Sequence, residues 1–297
     1  ALALLQHGAQ AIEAGLLRVV VLHHAGQRLG ERAGVERAAL VGQRLADALV
    51  KALITAADQH HVLQPRQFLR NLLVELDPAH LESHRIVAHH KAHPASWAFD
   101  LLRTQVLQKM DENGWRTLAI TSPTMESGKT VVAINLAIGI AQQTNRTSLL
   151  MDFDLRRPRV ASSLGLNGKI SLNQVLAGTA RVDEAMVNPG IPRFVVLPTQ
   201  QAMPSSAELL GSRKVAALMS ELREHYSDRV VVVDLPPVLS VDDVLAVLPR
   251  IDCVLMVVGS GMSTEKEIEE SMARLTKANV LGVVLNKDRT PTTNAYD

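Results

Sequence analysis

Cysteine is nearly absent from this chain: Cys253 is the only one in 297 residues, so no intrachain disulfide can form and a reducing cytoplasm is the natural compartment. Long apolar runs are missing too. No stretch approaches the roughly 20 residues needed to span a bilayer, and His7 and Glu13 interrupt the N-terminus where a signal peptide would keep its apolar region. Neither sign of charge dominates, since the formal net charge is +1. There is then no global pull toward nucleic acid or an acidic membrane, and nucleic acid is not an expected partner. Aromatic residues make up only 3% of the chain, and Phe68 is the only one in the first 70 positions. With no large ring to fill a core, that stretch reads as loosely packed helix, as in the amphipathic pattern of residues 37–50, or as partly disordered chain. No repeat of solenoid period is present.

What is present divides the chain. Ten of the 11 histidines precede residue 100, and only His225 follows. This shift marks a boundary, giving a helical or poorly ordered N-terminal extension over 1–80, a linker over 81–96, a main domain over 97–290 and a flexible tail over 291–297. The spacing His89-His90-x-x-His93 invites a metal reading, but Lys91 and Pro94 beside it favour a solvated linker.

The main domain carries the chemistry. Residues 116–130 run from an apolar strand into Ser127-Gly128-Lys129-Thr130, and a helix-like stretch from Val131 to Gln142 follows at once. A strand feeding a helix aims free N–H groups and a positive dipole end at an anion, Lys129 can reach the outer phosphates, and Thr130 can hold Mg²⁺. The full pattern wants glycine six residues before the lysine, where this chain has Pro123. Two more segments strengthen the case: residues 148–154 and 229–234 each read as a buried parallel strand ending in carboxylates, Asp152 and Asp154 in one, Asp234 in the other. Ligands of open α/β sheets sit beyond the carboxyl ends of the strands, where these three fall. Taken singly, each aspartate could equally be a helix cap or turn residue.

Around these segments the pattern predicts a helix over 97–110, a short helix over 172–177, a strand over 193–198, a helix over 212–225, a strand over 253–258, a helix over 264–278 and a strand over 280–285. The alternation implies an α/β fold of P-loop NTPase type, a mostly parallel sheet with helices on both faces and right-handed crossovers.

Together, residues 121–130, the Asp-x-Asp-x-Arg run of 149–158 and residues 233–238 resemble the bacterial tyrosine autokinases of capsule and exopolysaccharide systems, including the branch linked to exosortase loci. The likeness covers about residues 84–287. It implies a cytoplasmic ATPase domain, peripheral to the inner membrane through a membrane polysaccharide co-polymerase, which self-associates, binds Mg-ATP and phosphorylates tyrosines near a neighbour's C-terminus. The implied cofactor-binding residues are Ser127, Gly128, Lys129, Thr130, Val131, Arg156 and Asn286, the last at the adenine edge. Thr130, Asp152 and Asp234 would hold Mg²⁺, and Lys129, Asp152, Asp154 and Asp234 would carry catalysis, with Asp152 orienting or deprotonating the acceptor hydroxyl. Such a division suits phosphoryl transfer, which needs in-line positioning and charge neutralisation.

The chain departs from the family at four places. Met125-Glu126 replaces the usual Pro-Gly, placing a carboxylate in a loop that wraps an anion; if that position needs φ > 0, the glutamate also carries strain of about 1 kcal/mol or more. The tyrosine-rich tail shrinks to Tyr296, the sole acceptor candidate, since Tyr226 at a helix end reads as a packing residue. Of the Glu-x-x-Arg-x-x-Arg pattern used in ring assembly only Arg103 survives, with Trp97 and Asp100 at the other positions. The first 75 residues match nothing in the family. Two other functions compete: a dimeric partitioning ATPase switch, disfavoured by Thr124 where such proteins place a second lysine, and a catalytically weakened nucleotide-binding scaffold.

Overall fold

The computed structural model describes residues 13–14, 17–20, 74–143, 146–203, 205–224 and 228–288. Residues 24–70 lie outside that set, as do Tyr226 and the tail bearing Tyr296.

Six parallel strands carry the domain: β3 (Thr117–Thr121), β4 (Thr147–Asp152), β5 (Phe194–Leu197), β6 (Arg229–Asp234), β7 (Cys253–Gly259) and β8 (Val280–Asn286). Two short N-terminal strands, β1 (Glu13–Ala14) and β2 (Leu17–Val20), add to the β8 edge antiparallel, in the order β1-β2-β8-β7-β3-β6-β4-β5. Most of the expected N-terminal extension falls outside the described residues, but these strands are extended chain where a helical or disordered stretch was expected. Pairing with a sheet edge overrides local preference there.

Strand residues alternate between two apolar cores. Leu118, Ile120, Leu150, Val230, Val232, Leu255 and Val257 belong to one. Their neighbours Ala119, Leu149, Met151, Val231, Val233, Met256 and Val258 belong to the other. A sheet covered on both faces has no polar side, which is why its strands read as continuous apolar runs. The first core is closed by helix α2 (Ser96–Asn113), through Leu102, Val106 and Met110, and helix α3 (Lys129–Ala141), through Ile134 and Ile138. The second is closed mainly by the helix Arg213–Glu224, through Val215, Leu218, Met219 and Leu222.

Within the expected linker, residues 90–94 are largely exposed, Lys91 and Pro94 among them, but residues 86–88 are not solvated. Ile86, Val87 and Ala88 are buried in the first core, and the N–H groups of Val87 and Ala88 donate to Asn135 Oδ1 at 2.8 and 2.9 Å. The apolar triplet inside a histidine-rich stretch was the overlooked signal. Among the described residues no group of histidines, cysteines and carboxylates is placed to hold a metal, and His93 instead lies 3.3 Å from Glu82. Helix α2 leaves Trp97 half exposed and pairs Arg103 with Asp100. Short helices at Pro78–Ser83, Val160–Leu164, Val182–Ala185, Ser206–Gly211 and Asp243–Val247 were not read from the sequence, each being too brief to show a period. Among the described residues, no helix is long and apolar enough to cross a membrane.

Candidate active site

Strand β3 ends at Thr121, and the chain turns over residues 122–128 before α3 begins at Lys129. The turn is wired internally. Thr121 Oγ1 donates to Pro236 O at 2.7 Å, and Ser122 Oγ and Ser127 Oγ both donate to Thr124 O. Gly128 caps the helix at φ 87°, and a Cβ there would lie 2.2 Å from Asn286 Nδ2. Only glycine meets both conditions.

Register on the sheet assembles the carboxylates. Asp152 and Asp234 are direct partners across β4 and β6, and Ile120 at the end of β3 pairs with Asp234 on its other side. Lys129 Nζ reaches Asp154 Oδ2 at 2.9 Å and Asp234 Oδ1 at 3.4 Å, while Thr130 Oγ1 donates to Asp234 Oδ2 at 2.6 Å. Asp152 accepts three backbone N–H groups, from Asp154 at Oδ1 and from Arg159 and Val160 at Oδ2. The predicted lysine, threonine and three aspartates therefore meet at one edge of the sheet.

Three buried carboxylates face one ammonium, which leaves an excess of negative charge in a dry setting. Burial, with Asp234 alongside, pushes the Asp152 carboxyl well above its ordinary range; burial also raises Asp234, against the opposing pull of Lys129 and Thr130. Burial alone would lower Lys129, but Asp234, Asp154 and Asp152 outweigh it and the ammonium is held more firmly than usual. A divalent cation would relieve this imbalance. The donors suit Mg²⁺, a hard ion that takes one or two carboxylates and a hydroxyl and fills its other positions with phosphate oxygens and water. A wholly protein-built metal cage is neither required nor found among the described residues.

A cavity of about 750 Å³ opens over this cluster, lined by Gly128, Lys129, Thr130, Val131, Asp154 and Arg156 among others. Arg156 is held by Asp243, at 3.1 Å from Nη2, and by Ser206 Oγ, at 2.8 Å from Nε. Asn286, expected at an adenine edge, donates from Nδ2 to Ser127 O of the phosphate loop at 2.9 Å. Its closeness to Gly128 shows why: the end of β8 braces the turn. Glu126 does adopt a left-handed backbone, φ 64°, with its carbonyl accepting from Lys287 Nζ at 2.6 Å. Sequence reading missed Lys287, Arg159, Asp243 and the wall formed by Ser83, His84 and Arg85. Asp243 had only a carboxylate near a helix start to show, and the 83–85 wall had no signal beyond its place ahead of the domain.

Relatives share this domain. Tyrosine-protein kinase etk of Escherichia coli (strain K12) is 34% identical over 187 residues, which cover 62% of this chain and 25% of that protein. The matched stretch thus spans about a quarter of that relative's length. The putative tyrosine-protein kinase CapB of Staphylococcus aureus is 28% identical over 188 residues, 63% of this chain and 81% of that protein. Among solved structures, the kinase domain of Escherichia coli tyrosine kinase ETK superposes with a TM-score of 0.65 at 30% identity, covering 81% of this chain and 89% of that one. The chimerical protein CapA2B2 gives 0.64 at 27% identity, covering 75% and 96%. The CbiA model, described as the CobQ/CobB/MinD/ParA nucleotide binding domain, matches residues 118–296, which include the phosphate loop and both acid-tipped strands, and the chain belongs to that family.

Proposed function

We propose that this chain is the ATP-dependent catalytic domain of a protein-tyrosine autokinase that regulates exopolysaccharide biosynthesis or export. The observation that carries the reading is the cluster of Lys129, Thr130, Asp152, Asp154 and Asp234, of which Lys129, Thr130 and Asp154 line the cavity and Asp152 and Asp234 lie buried beneath it. The names of the relatives, tyrosine-protein kinases of two bacterial genera, support it. The N–H groups of the loop before α3 and the Lys129 ammonium would bind the β- and γ-phosphates. Thr130, Asp234 and Asp152 would hold Mg²⁺, which when bound neutralises charge on the phosphate oxygens. Asp154 anchors Lys129 at 2.9 Å, and Arg156, fixed by Asp243, would sit over the transferred group.

Asp152 is the residue for the acceptor. Three backbone donors fix its carboxylate, and its place at the tip of β4 beside Asp234 puts it in the cluster that would take up the acceptor proton. The tyrosine hydroxyl proton passes to Asp152 as the phenolic oxygen bonds to the γ-phosphorus and the bond to the β,γ-bridging oxygen breaks, releasing ADP. The chain would work on the inner face of a membrane through a polysaccharide co-polymerase and a second copy of itself. Mass spectrometry for phosphate on Tyr296 after incubation with Mg-ATP, beside Lys129→Ala and Asp152→Ala, tests the reading. Phosphotyrosine in wild type and none in either variant is expected; turnover of ATP with no transfer to tyrosine would replace the kinase by an ATPase switch.

A further inference from the structure

We propose that Arg85, together with Arg159, is an anion-binding element on the acceptor side of the cavity and selects a tyrosine flanked by acidic residues. The inference rests on the kinase reading and names its substrate chemistry. Six cationic side chains line the cavity: Arg85, Lys129, Arg156, Arg157, Arg159 and Lys287. Four are engaged. Lys129 is held by Asp154 and Asp234, Arg156 by Asp243, Arg157 by Met125 Sδ at 2.9 Å and Lys287 by Glu126 O. The guanidinium groups of Arg85 and Arg159 have no hydrogen-bond or ion-pair partner among the described residues, and both residues are exposed.

The backbone at Arg85 shows that its position is imposed. The helix Pro78–Ser83 closes with Ile86 N donating to Leu81 O and Arg85 N to Glu82 O, both at 2.9 Å, and Arg85 has φ 59°. That is the helix-end position where glycine is the favoured residue. An arginine there sacrifices stability for its side chain. Buried Asn135 fastens the segment: its Oδ1 accepts from Val87 and Ala88, and its Nδ2 donates to Arg85 O and Val131 O, each of these at 2.9 Å. Because Asn135 lies on α3, Arg85 is referenced to the same helix that presents Lys129. Of the four non-glycine residues with left-handed backbone among those described, Arg85, Glu126 and Lys287 all line this cavity.

Placement decides which substrate the two guanidiniums meet. His80 Nε2 lies 2.9 Å from Ser162 O, so the helix before Arg85 rests on the helix Val160–Leu164. That second helix starts beside Arg159, where the N–H groups of Arg159 and Val160 hold Asp152. Arg85 and Arg159 thus belong to the wall that carries the proposed acceptor base, whereas the phosphate loop and Lys129 supply the donors for the nucleotide. A guanidinium with free N–H groups pairs in a two-point manner with a carboxylate. The matching partner is an acidic side chain close to the tyrosine.

The test uses the full chain with Mg²⁺ and a non-hydrolysable ATP analogue, and two fluorescein-labelled peptides, a tyrosine flanked on each side by two glutamates or by two glutamines. Fluorescence anisotropy should show the acidic peptide binding about tenfold tighter, a difference of about 1.4 kcal/mol. Arg85→Gly should bring it down to the glutamine peptide's affinity, leave the affinity for a fluorescent ADP unchanged, and raise the melting temperature by roughly 2 °C, because glycine suits the helix end. A residue with a purely structural role would move stability and binding in the same direction. Equal affinities for the two peptides would overturn the proposal, as would Arg85→Gly weakening ADP as much as peptide, which would make Arg85 a nucleotide contact. So would a fall in melting temperature together with the loss of peptide binding. Because binding is read without phosphoryl transfer, a failure to find phosphotyrosine would sink the kinase reading and leave this measurement interpretable.

Discussion

Glu126 puts a negative charge and a strained backbone into the loop that receives the triphosphate, and the two effects can be measured apart. At φ 64° a residue with a Cβ costs about 1–2 kcal/mol. Glycine removes that cost but loses more chain entropy on folding, about 0.5–1 kcal/mol. Glu126→Gly is therefore expected to be neutral to about 1 kcal/mol more stable, a rise in melting temperature of up to roughly 4 °C for a domain of this size. The charge acts separately. Glu126 is exposed, so a water-like dielectric applies, and its repulsion of a Mg-ATP carrying about two negative charges at about 8 Å is roughly 1 kcal/mol. That corresponds to about fivefold in Kd at low salt, and much of it is lost when the Debye length falls below that distance. Glu126→Gln removes the charge and keeps the strain; Glu126→Gly removes both. Calorimetric titration of a non-hydrolysable Mg-ATP analogue at low and high salt, with thermal melts of each variant, should find tighter binding for both variants at low salt only, and a higher melting temperature for the glycine variant alone. If Glu126→Gln binds nucleotide like wild type at low salt, the charge does not oppose phosphate. If Glu126→Gly melts lower, the backbone argument fails.

Gly128→Ala should abolish nucleotide binding, since its Cβ would collide with Asn286 Nδ2, and Asn286→Ala in the same chain should recover part of it, as a double-mutant cycle in ADP titrations would show. Lys129→Ala leaves Asp154 and Asp234 buried without their cation, which should cost about 3–5 kcal/mol in urea unfolding at neutral pH, with part of the loss returned by Mg²⁺. The Asp152 carboxyl is raised above its ordinary 3.8 by burial first and Asp234 second, so above about pH 4 the native state binds more protons than the unfolded state. Its contribution to stability is therefore greatest in acid and declines as pH rises above about 4, and Asp152→Ala should flatten that decline in the urea-midpoint profile.

The parallel sheet was legible because burial on both faces writes continuous apolar runs, and acid at the tips of residues 147–152 and 229–234 marked where the strands end. What joined Asp152 to Asp234 was strand register, which no local pattern contains: β6 lies between β3 and β4, so two strands distant in sequence present their carboxylates at one level. The strain at Glu126 was legible as well, from the position of a family glycine. The brace that Asn286 makes was not, because a function carried over from a motif says nothing of the close approach at Gly128 that holds its amide on Ser127. Residues 86–88 were misread for a related reason: the histidines around them gave the stretch a polar composition, while three consecutive small or branched apolar residues and a distant Asn135 decide their burial.

The cavity concentrates what the fold would otherwise avoid. Arg85, Glu126 and Lys287 all hold left-handed backbones around it, and below them Asp154 and Asp234 share one lysine, with Asp152 in direct register beside Asp234. Strained positions persist only where surrounding structure over-determines them. Here that structure can be named: Asn135 fixes the carbonyl of Arg85, Lys287 Nζ the carbonyl of Glu126, and Asn286 the carbonyl of Ser127. Each brace is a side chain from one element gripping a backbone carbonyl of another, so the phosphate turn, the acceptor wall and the end of β8 are tied together. Loosening one brace should then disturb its neighbours. Asn135→Ala, far from any phosphate, strands the N–H groups of Val87 and Ala88 in the core at about 1–3 kcal/mol each. It should release Arg85 with them, and hydrogen exchange that speeds up across 84–88 while staying slow in β3 and β6 would show that the wall depends on this one amide.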